Sequence, residues 1–97
     1  MGLFIFARFH ALEGQERAVE EVLGEEVRLA RFDPGCLGHQ AFRSTHDPRL
    51  FFIHSHWTDE AMFEAHAALP HTLNFVERIR PLIDHKLEVT HTRPLSS

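Results

Sequence analysis

Apolar side chains recur along this chain with two different periods. Short segments rich in Phe, Ile and Val, or with alternating apolar residues, are typical of β-strands and span residues 3–10, 36–45, 50–57 and 86–92. Residues 15–31 and about 59–69 place apolar residues three or four positions apart, which predicts helices. A shorter helical segment is predicted over 72–79. The order β-α-β-β-α-β predicts an α+β, ferredoxin-like fold, in which an antiparallel four-stranded sheet carries its helices on one face.

Local signals set the boundaries of the two helices. In the first, acidic residues are predicted to lie opposite the apolar stripe, and the sequence Asp33-Pro34-Gly35 ends the element in a turn. In the second, Thr58 or Asp59 can cap the first turn, and Pro70 is expected to break the helix. The apolar stripe of the second helix is predicted to be Ala61, Met62, Ala65 and Leu69, with His66 at its edge.

The first strand is apolar on both faces. One face carries Leu3, Ile5, Ala7 and Phe9, and the other carries Phe4, Phe6, Arg8 and His10. Helices cover only one face of a ferredoxin-like sheet, so another surface must cover the second. We therefore expect a homodimer in which two sheets pack face to face.

Composition narrows the class of protein. The 97 residues predict one domain over 1–97, with a core of about 3–92 and a tail at 93–97. A net charge of −4 without a basic run argues against nucleic-acid binding. The single cysteine, Cys36, excludes an internal disulfide and favours a reducing compartment. The first apolar segment is too short to span a membrane, so we expect a soluble, cytoplasmic protein with no membrane partner.

Candidate chemistry is concentrated between Phe51 and Phe75. Trp57, the only tryptophan, ends the third strand, and His66 follows on the second helix. Trp57 either lines a ligand pocket or fills the core. A neutral, buried His66 could exchange a proton near neutral pH, whereas a partly buried His66 would simply bond to backbone or water.

A metal site is not predicted. His54 and His56 share one strand face, but a site needs three or four ligands, and neither HExxH nor CxxC occurs. His66 and His71 are five residues apart with a proline between them, which is poor spacing for joint ligation. Ser55 shows no catalytic relay, and Cys36 is expected to be a small apolar residue.

Taken in order, several motifs resemble those of one family. They are LEGQE at 12–16, DPGCLGHQAFRS at 33–44, DPRLFFIHSHW at 47–57 and DEAMFEAHAALPH at 59–71. With these motifs, the chain resembles an antibiotic biosynthesis monooxygenase (ABM)-like domain of the dimeric α/β-barrel superfamily. The resemblance covers roughly residues 3–89.

The resemblance implies a function and a set of site residues. Such proteins are often cofactor-independent monooxygenases that oxidise quinols, anthrones or other small aromatic molecules with dioxygen. Trp57 and His66 stand at the family's Trp and His positions, which makes His66 the first catalytic candidate and His71 a weaker one. The substrate-binding candidates implied are Trp57, Phe75, Ser55 and His39.

Two departures keep alternatives open. Ser55 stands where the family commonly has Glu, and His39 stands where Tyr is frequent. A non-catalytic dimeric module that binds a small ligand, or that acts in a stress response, fits these departures equally well. A third hypothesis is a histidine-rich metal-binding protein.

Overall fold

The computed structural model describes residues 2–96, so Met1 and Ser97, the ends of the predicted domain and tail, lie outside it. The described elements are β1 Leu3–His10, α1 Glu16–Ala30, β2 Cys36–Arg43, β3 Leu50–Trp57, α2 Glu60–Ala67, α3 Pro70–Ile79, a 3-10 turn at Arg80–Leu82 and β4 Glu88–Thr92.

The four strands form one antiparallel sheet in the order β2-β3-β1-β4. This is the predicted ferredoxin-like arrangement, and the α+β prediction is confirmed. Within the described residues the sheet stays open, so a single chain does not close a barrel. Both β1 and β3 alternate strictly between a more buried and a more exposed side chain, because successive residues of a strand point to opposite faces.

The core lies between the helices and one face of the sheet. Its largest fully buried side chains are Trp57, Phe9, Leu23, Ile79 and Val19. At full burial, each side chain of this size contributes about 1.5–3 kcal/mol to stability. The opposite face leaves Phe6 and Phe42 nearly half exposed. None of the helices in residues 2–96 is long and apolar enough to cross a membrane.

The predicted stripe of α2 is wrong at its two alanines. Ala61 and Ala65 are exposed, and among the eight residues of this helix, all of them described, His66 alone is buried. Met62 and Phe63 are half-buried and pack against the cluster around Trp57. The inner face of α2 therefore carries an imidazole where an apolar residue was expected.

Pro70 does more than end α2. Leu69 is extended and precedes α3, and Pro70 occupies the first turn of that helix. Proline suits this position because its fixed φ is helical and its missing N–H would have no partner there. Two other boundaries differ by two residues from prediction. Strand β2 ends at Arg43, because the Ser44 hydroxyl accepts two backbone N–H groups of the turn, and β4 begins at Glu88.

Candidate functional site

A cavity of about 280 Å³ lies between the sheet and helices α2 and α3. Its walls are mostly apolar, and they include Ile5, Ala7, Ile53, Phe63, Phe75 and Leu87. The polar side chains that reach it are Glu26, His39, Ser55, His66, Thr72 and His91. A small, largely apolar space with a few convergent polar groups is the common form of a ligand site.

The Asp33 carboxylate fixes the His66 ring through its Nδ1 atom. Its Nδ1 lies 2.6 Å from Oδ2 of Asp33, and 3.4 Å from the Thr72 hydroxyl. Burial lowers the pKa of His66, although the hydrogen bond with Asp33 acts in the opposite direction. A neutral His66 that donates its Nδ1 proton to Asp33 keeps a lone pair on Nε2.

Asp33 reaches His66 through the turn between α1 and β2. Gly35 has a φ of +82°, a region that favours glycine, and an added Cβ there would collide with the Met62 side chain of α2. The glycine thus lets the turn and α2 approach closely. In the sequence, Asp33 is recognisable only as a turn residue, and its contact with His66 was not predicted.

His71 joins two carboxylates at the edge of the site. Its Nδ1 lies 2.9 Å from Glu26 Oε1, and its Nε2 lies 2.9 Å from Asp33 Oδ2. Burial lowers the pKa of His71, but the hydrogen bonds with the two carboxylates outweigh it, and the net pKa is raised. His71 therefore favours the charged form. Unlike His66, it does not line the cavity, and its side chain is 22% exposed.

Glu26 corrects the prediction that acidic residues of α1 lie opposite the apolar stripe. It is only 3% exposed, and burial raises its pKa. Its Oε2 lies 3.7 Å from His66 Nε2 and has no hydrogen-bond partner in the described part of the chain. Its position was readable in the sequence, because it continues the three-to-four-residue spacing of Val19, Val22 and Leu23.

His39 enters the cavity because β2 contains a bulge. Cys36 pairs with Trp57 but Gly38 pairs with His56, so one extra residue, Leu37, shifts the register. His39 then lies opposite Ser55, on the cavity face. Burial lowers the pKa of His39 to about 4, so its imidazole is neutral at neutral pH. Its Nδ1 has no partner within residues 2–96.

The structure places Trp57 behind the cavity. Its side chain is fully buried, and its ring centroid lies 4.5 Å from that of His66. Its indole N–H donates to the Ser55 hydroxyl at 3.0 Å. Ser55 and Phe75 line the cavity directly, whereas Trp57 contacts it through His66 and Ser55.

The two histidines of β3 belong to another surface. His54 and His56 lie on the open face of the sheet, beside Phe4 and Phe6. By contrast, His66 and His71 come together despite their spacing, with ring centroids 5.7 Å apart. The break between α2 and α3 turns both imidazoles toward Asp33, which a continuous helix would not do.

Residues 3–78 match the protein family described as antibiotic biosynthesis monooxygenase, and the match covers more than half of the chain. The chain belongs to this family. The predicted resemblance is therefore confirmed.

Solved structures similar to this family member share its fold over nearly their whole length. Rv0793 from Mycobacterium tuberculosis has a TM-score of 0.92 at 20% identity, covering 100% of this chain and 98% of the other. PA3566 from Pseudomonas aeruginosa has a TM-score of 0.89 at 27% identity, covering 98% and 95%. A structure described as an antibiotic biosynthesis monooxygenase has a TM-score of 0.89 at 24% identity, covering 96% and 98%.

Proposed function

We propose that this protein is a cofactor-independent monooxygenase that oxidises a small quinol-like or anthrone-like aromatic molecule with dioxygen. The observation that carries the proposal is the pair of His66 and Asp33 at the cavity. His66 lines an apolar cavity with a proton held on Nδ1 by Asp33, 2.6 Å away, which leaves Nε2 as an acceptor. Membership of the antibiotic biosynthesis monooxygenase family supports the reaction class.

The cavity suits a small, flat and mostly apolar substrate. Its volume of about 280 Å³ is near the lower end of ligand pockets, which begin at about 300 Å³. Phe63 and Phe75 offer aromatic surfaces, and Ser55 and His39 offer polar contacts at the wall. A filled core between the sheet and the helices would have favoured the non-catalytic module, and the cavity removes that support.

The chemistry begins with removal of a proton. His66 Nε2 takes the acidic proton of the substrate and becomes an imidazolium that Asp33 stabilises. The substrate anion gives one electron to dioxygen, and the two radicals combine to form a C–O bond. The peroxide takes a proton from His66. Loss of the second C–H proton then breaks the O–O bond, which releases water and leaves a carbonyl. One dioxygen thus gives one product oxygen and one water.

His71 is proposed to connect this cycle with solvent. Asp33 Oδ2 contacts both His66 Nδ1 and His71 Nε2, and the His71 side chain is partly exposed. The charged His71 also stabilises the Asp33 carboxylate when His66 is neutral. Trp57 is proposed to act as the rigid surface that fixes the His66 ring, because the two rings are in contact.

The protein is further proposed to act as a homodimer through the open face of its sheet. Phe6, Phe42, Phe52 and His54 surround an apolar hollow on this face. Family members are commonly dimeric, which supports the same arrangement. Sheet-to-sheet packing would remove the exposed phenylalanines from water.

The proposal is tested by oxygen consumption with a panel of quinols and anthrones. Reactions contain a chelator, so that free metal ions do not oxidise the substrate. We expect wild type to exceed the uncatalysed rate, and His66→Ala to lose at least about a hundredfold in kcat. His46→Ala, which changes an exposed turn residue, is the matched control. The proposal fails if wild type and His66→Ala both match the uncatalysed rate across the panel.

A further inference from the structure

Three buried side chains from three different elements converge at one end of the cavity. Glu26 comes from α1, His39 from β2 and His66 from α2, and each is at most 6% exposed. One donor atom from each lies within 4.8 Å of the other two. The sequence places these residues 13 and 27 positions apart, which no short metal-binding motif would reveal.

Two polar atoms of these three residues lack hydrogen-bond partners. Glu26 Oε2 and His39 Nδ1 are buried without a hydrogen-bond partner among residues 2–96. Leaving such a group unpaired costs about 1–3 kcal/mol. His66 Nε2 faces Glu26 Oε2 at 3.7 Å, a distance too long for a hydrogen bond. Two lone pairs that face each other in a buried space are stabilised by a cation between them.

Two of the three residues, His66 and Glu26, have outer contacts typical of metal ligands. The Nδ1 proton of His66 is bound by Asp33, which orients the ring and directs the Nε2 lone pair toward the cavity. Glu26 uses its other oxygen, Oε1, to contact His71. Asp33, His66 and His71 form a second cluster of donor atoms, but its atoms already hydrogen-bond to one another.

The spacing of Glu26 and His66 also fits an ion. Two ligands about 2.1 Å from a tetrahedral ion lie roughly 3.4 Å apart, so the observed 3.7 Å needs only a small movement. Two imidazoles and one carboxylate select Zn²⁺, Co²⁺ or Fe²⁺ rather than Ca²⁺ or Mg²⁺.

We propose that Glu26, His39 and His66 form a binding site for a divalent transition-metal ion of the Zn²⁺ class. The ion uses the His66 Nε2 lone pair that accepts the substrate proton. Binding of the ion should therefore inhibit oxidation. This inhibition rests on the proposed function, whereas the binding of the metal does not.

Binding is measured on untagged, chelator-treated protein without any substrate. Titration with Co²⁺ is followed by visible absorption, and the metal retained after dialysis is determined by elemental analysis. We expect one tightly held Co²⁺ per chain, displaced by Zn²⁺. Glu26→Gln and His39→Gln should each weaken binding by roughly tenfold or more. The control is His46→Gln, which removes an exposed imidazole outside the site and should leave binding unchanged.

A measurement on wild type guards against variants that unfold. Bound Co²⁺ is paramagnetic, so the amide signals of residues 26, 39 and 66 should be shifted or broadened most strongly. Failure of wild type to retain stoichiometric metal would overturn the proposal, as would the strongest effects falling on surface histidines such as His54 and His56. Metal bound without loss of oxidation would overturn only the inhibition. A protein that binds metal but oxidises nothing would overturn only the proposed function.

Discussion

The imidazole of His66 and the carboxylate of Asp33 lie 2.6 Å apart, although the two residues are 33 positions apart in the chain. The contact links α2 to the turn after α1, and only 6% of the His66 side chain and 10% of the Asp33 side chain are exposed. A charge-assisted hydrogen bond in such a setting fixes the ring orientation and the tautomer.

Asp33→Asn should release the His66 ring from its fixed tautomer. An amide can either accept from or donate to Nδ1, so the Nε2–H tautomer of His66 becomes populated and the free acceptor is lost. We expect kcat on any substrate that wild type oxidises to fall by about a hundredfold or more. The tautomer itself is measured by ¹⁵N shifts of the His66 ring.

Glu13→Gln is the control for that change, because it neutralises an exposed carboxylate remote from the cavity. An Asp33→Asn protein that keeps the Nδ1–H tautomer would contradict the role assigned to Asp33, whatever its activity.

Ser55 and Trp57 should behave as an energetically coupled pair. Ser55→Ala leaves the buried indole N–H without its acceptor, which should cost about 1–3 kcal/mol. Trp57→Phe removes the donor and part of a fully buried ring, and should cost at least as much. Urea unfolding followed by circular dichroism measures both. The double variant should lose less than the sum, and strict additivity would show that the hydrogen bond contributes nothing.

Gly35→Ala should destabilise the fold more than Gly14→Ala. Both glycines have positive φ, so both substitutions impose a backbone strain of about 1–3 kcal/mol. At Gly14 an added methyl group meets open space, whereas at Gly35 it meets the Met62 side chain. The free energies of unfolding of the two variants, measured in urea, are compared. The difference between them gives the cost of the collision with Met62, because the backbone strain is common to both. Equal losses would mean that the turn and α2 can move apart freely.

His10 should make the stability of the fold depend on pH. Its hydrogen bonds with Asp84 and then Asp47 raise its pKa above 6.5, while Arg49 and His85 also lie close by. A raised folded-state pKa stabilises the protein below about pH 6.5, and that contribution is lost as pH rises through the folded pKa. We therefore expect this contribution to lower the melting temperature as the pH rises above about 6.5.

His10→Gln should flatten that part of the profile, because it removes the titrating group. Thermal melts at stepped pH compare it with His46→Gln, which changes a histidine outside this cluster. If His10→Gln keeps the slope of wild type, another group is responsible.

Phe6→Glu should dissociate the proposed dimer. Phe6 is 49% exposed in the single chain, and a charge there would be buried against a partner. We expect dimer affinity to fall at least about 30-fold, as for an interface residue contributing about 2 kcal/mol. Light scattering with gel filtration measures the mass. Phe32→Glu is the matched control, because Phe32 is 90% exposed in the turn that follows α1. A wild-type monomer would refute the proposal outright.

The fold was predictable because each strand has a recognisable local sequence pattern. The bounds of β1 and β3 follow from their apolar patterns and flanking turns, and the element order then leaves few topologies. The inner face of α2 was not predictable from hydrophobicity, because its single buried residue is a histidine. Tertiary contacts, above all the hydrogen bond with Asp33, stabilise the buried imidazole.

The candidate site was half predictable. His39, Ser55, His66 and Phe75 were singled out in the sequence, and all four line the cavity. Glu26 and Asp33 were missed for different reasons. Glu26 shares the spacing of an apolar stripe, so closer attention to that stripe would have found it. Asp33 depends on a positive-φ turn and a helix break whose geometry only the folded chain defines.

Strand β3 presents different side chains to the two faces of the sheet. Ser55 and Trp57 point to the face that the helices cover, and His54 and His56 point to the open sheet face. Inserting one residue into the hairpin at 44–49 would exchange these two sets if the pairing slipped to absorb it. The proposed chemistry and the proposed dimer are therefore constrained together, and a length change in that hairpin would alter the basis of both in a single step.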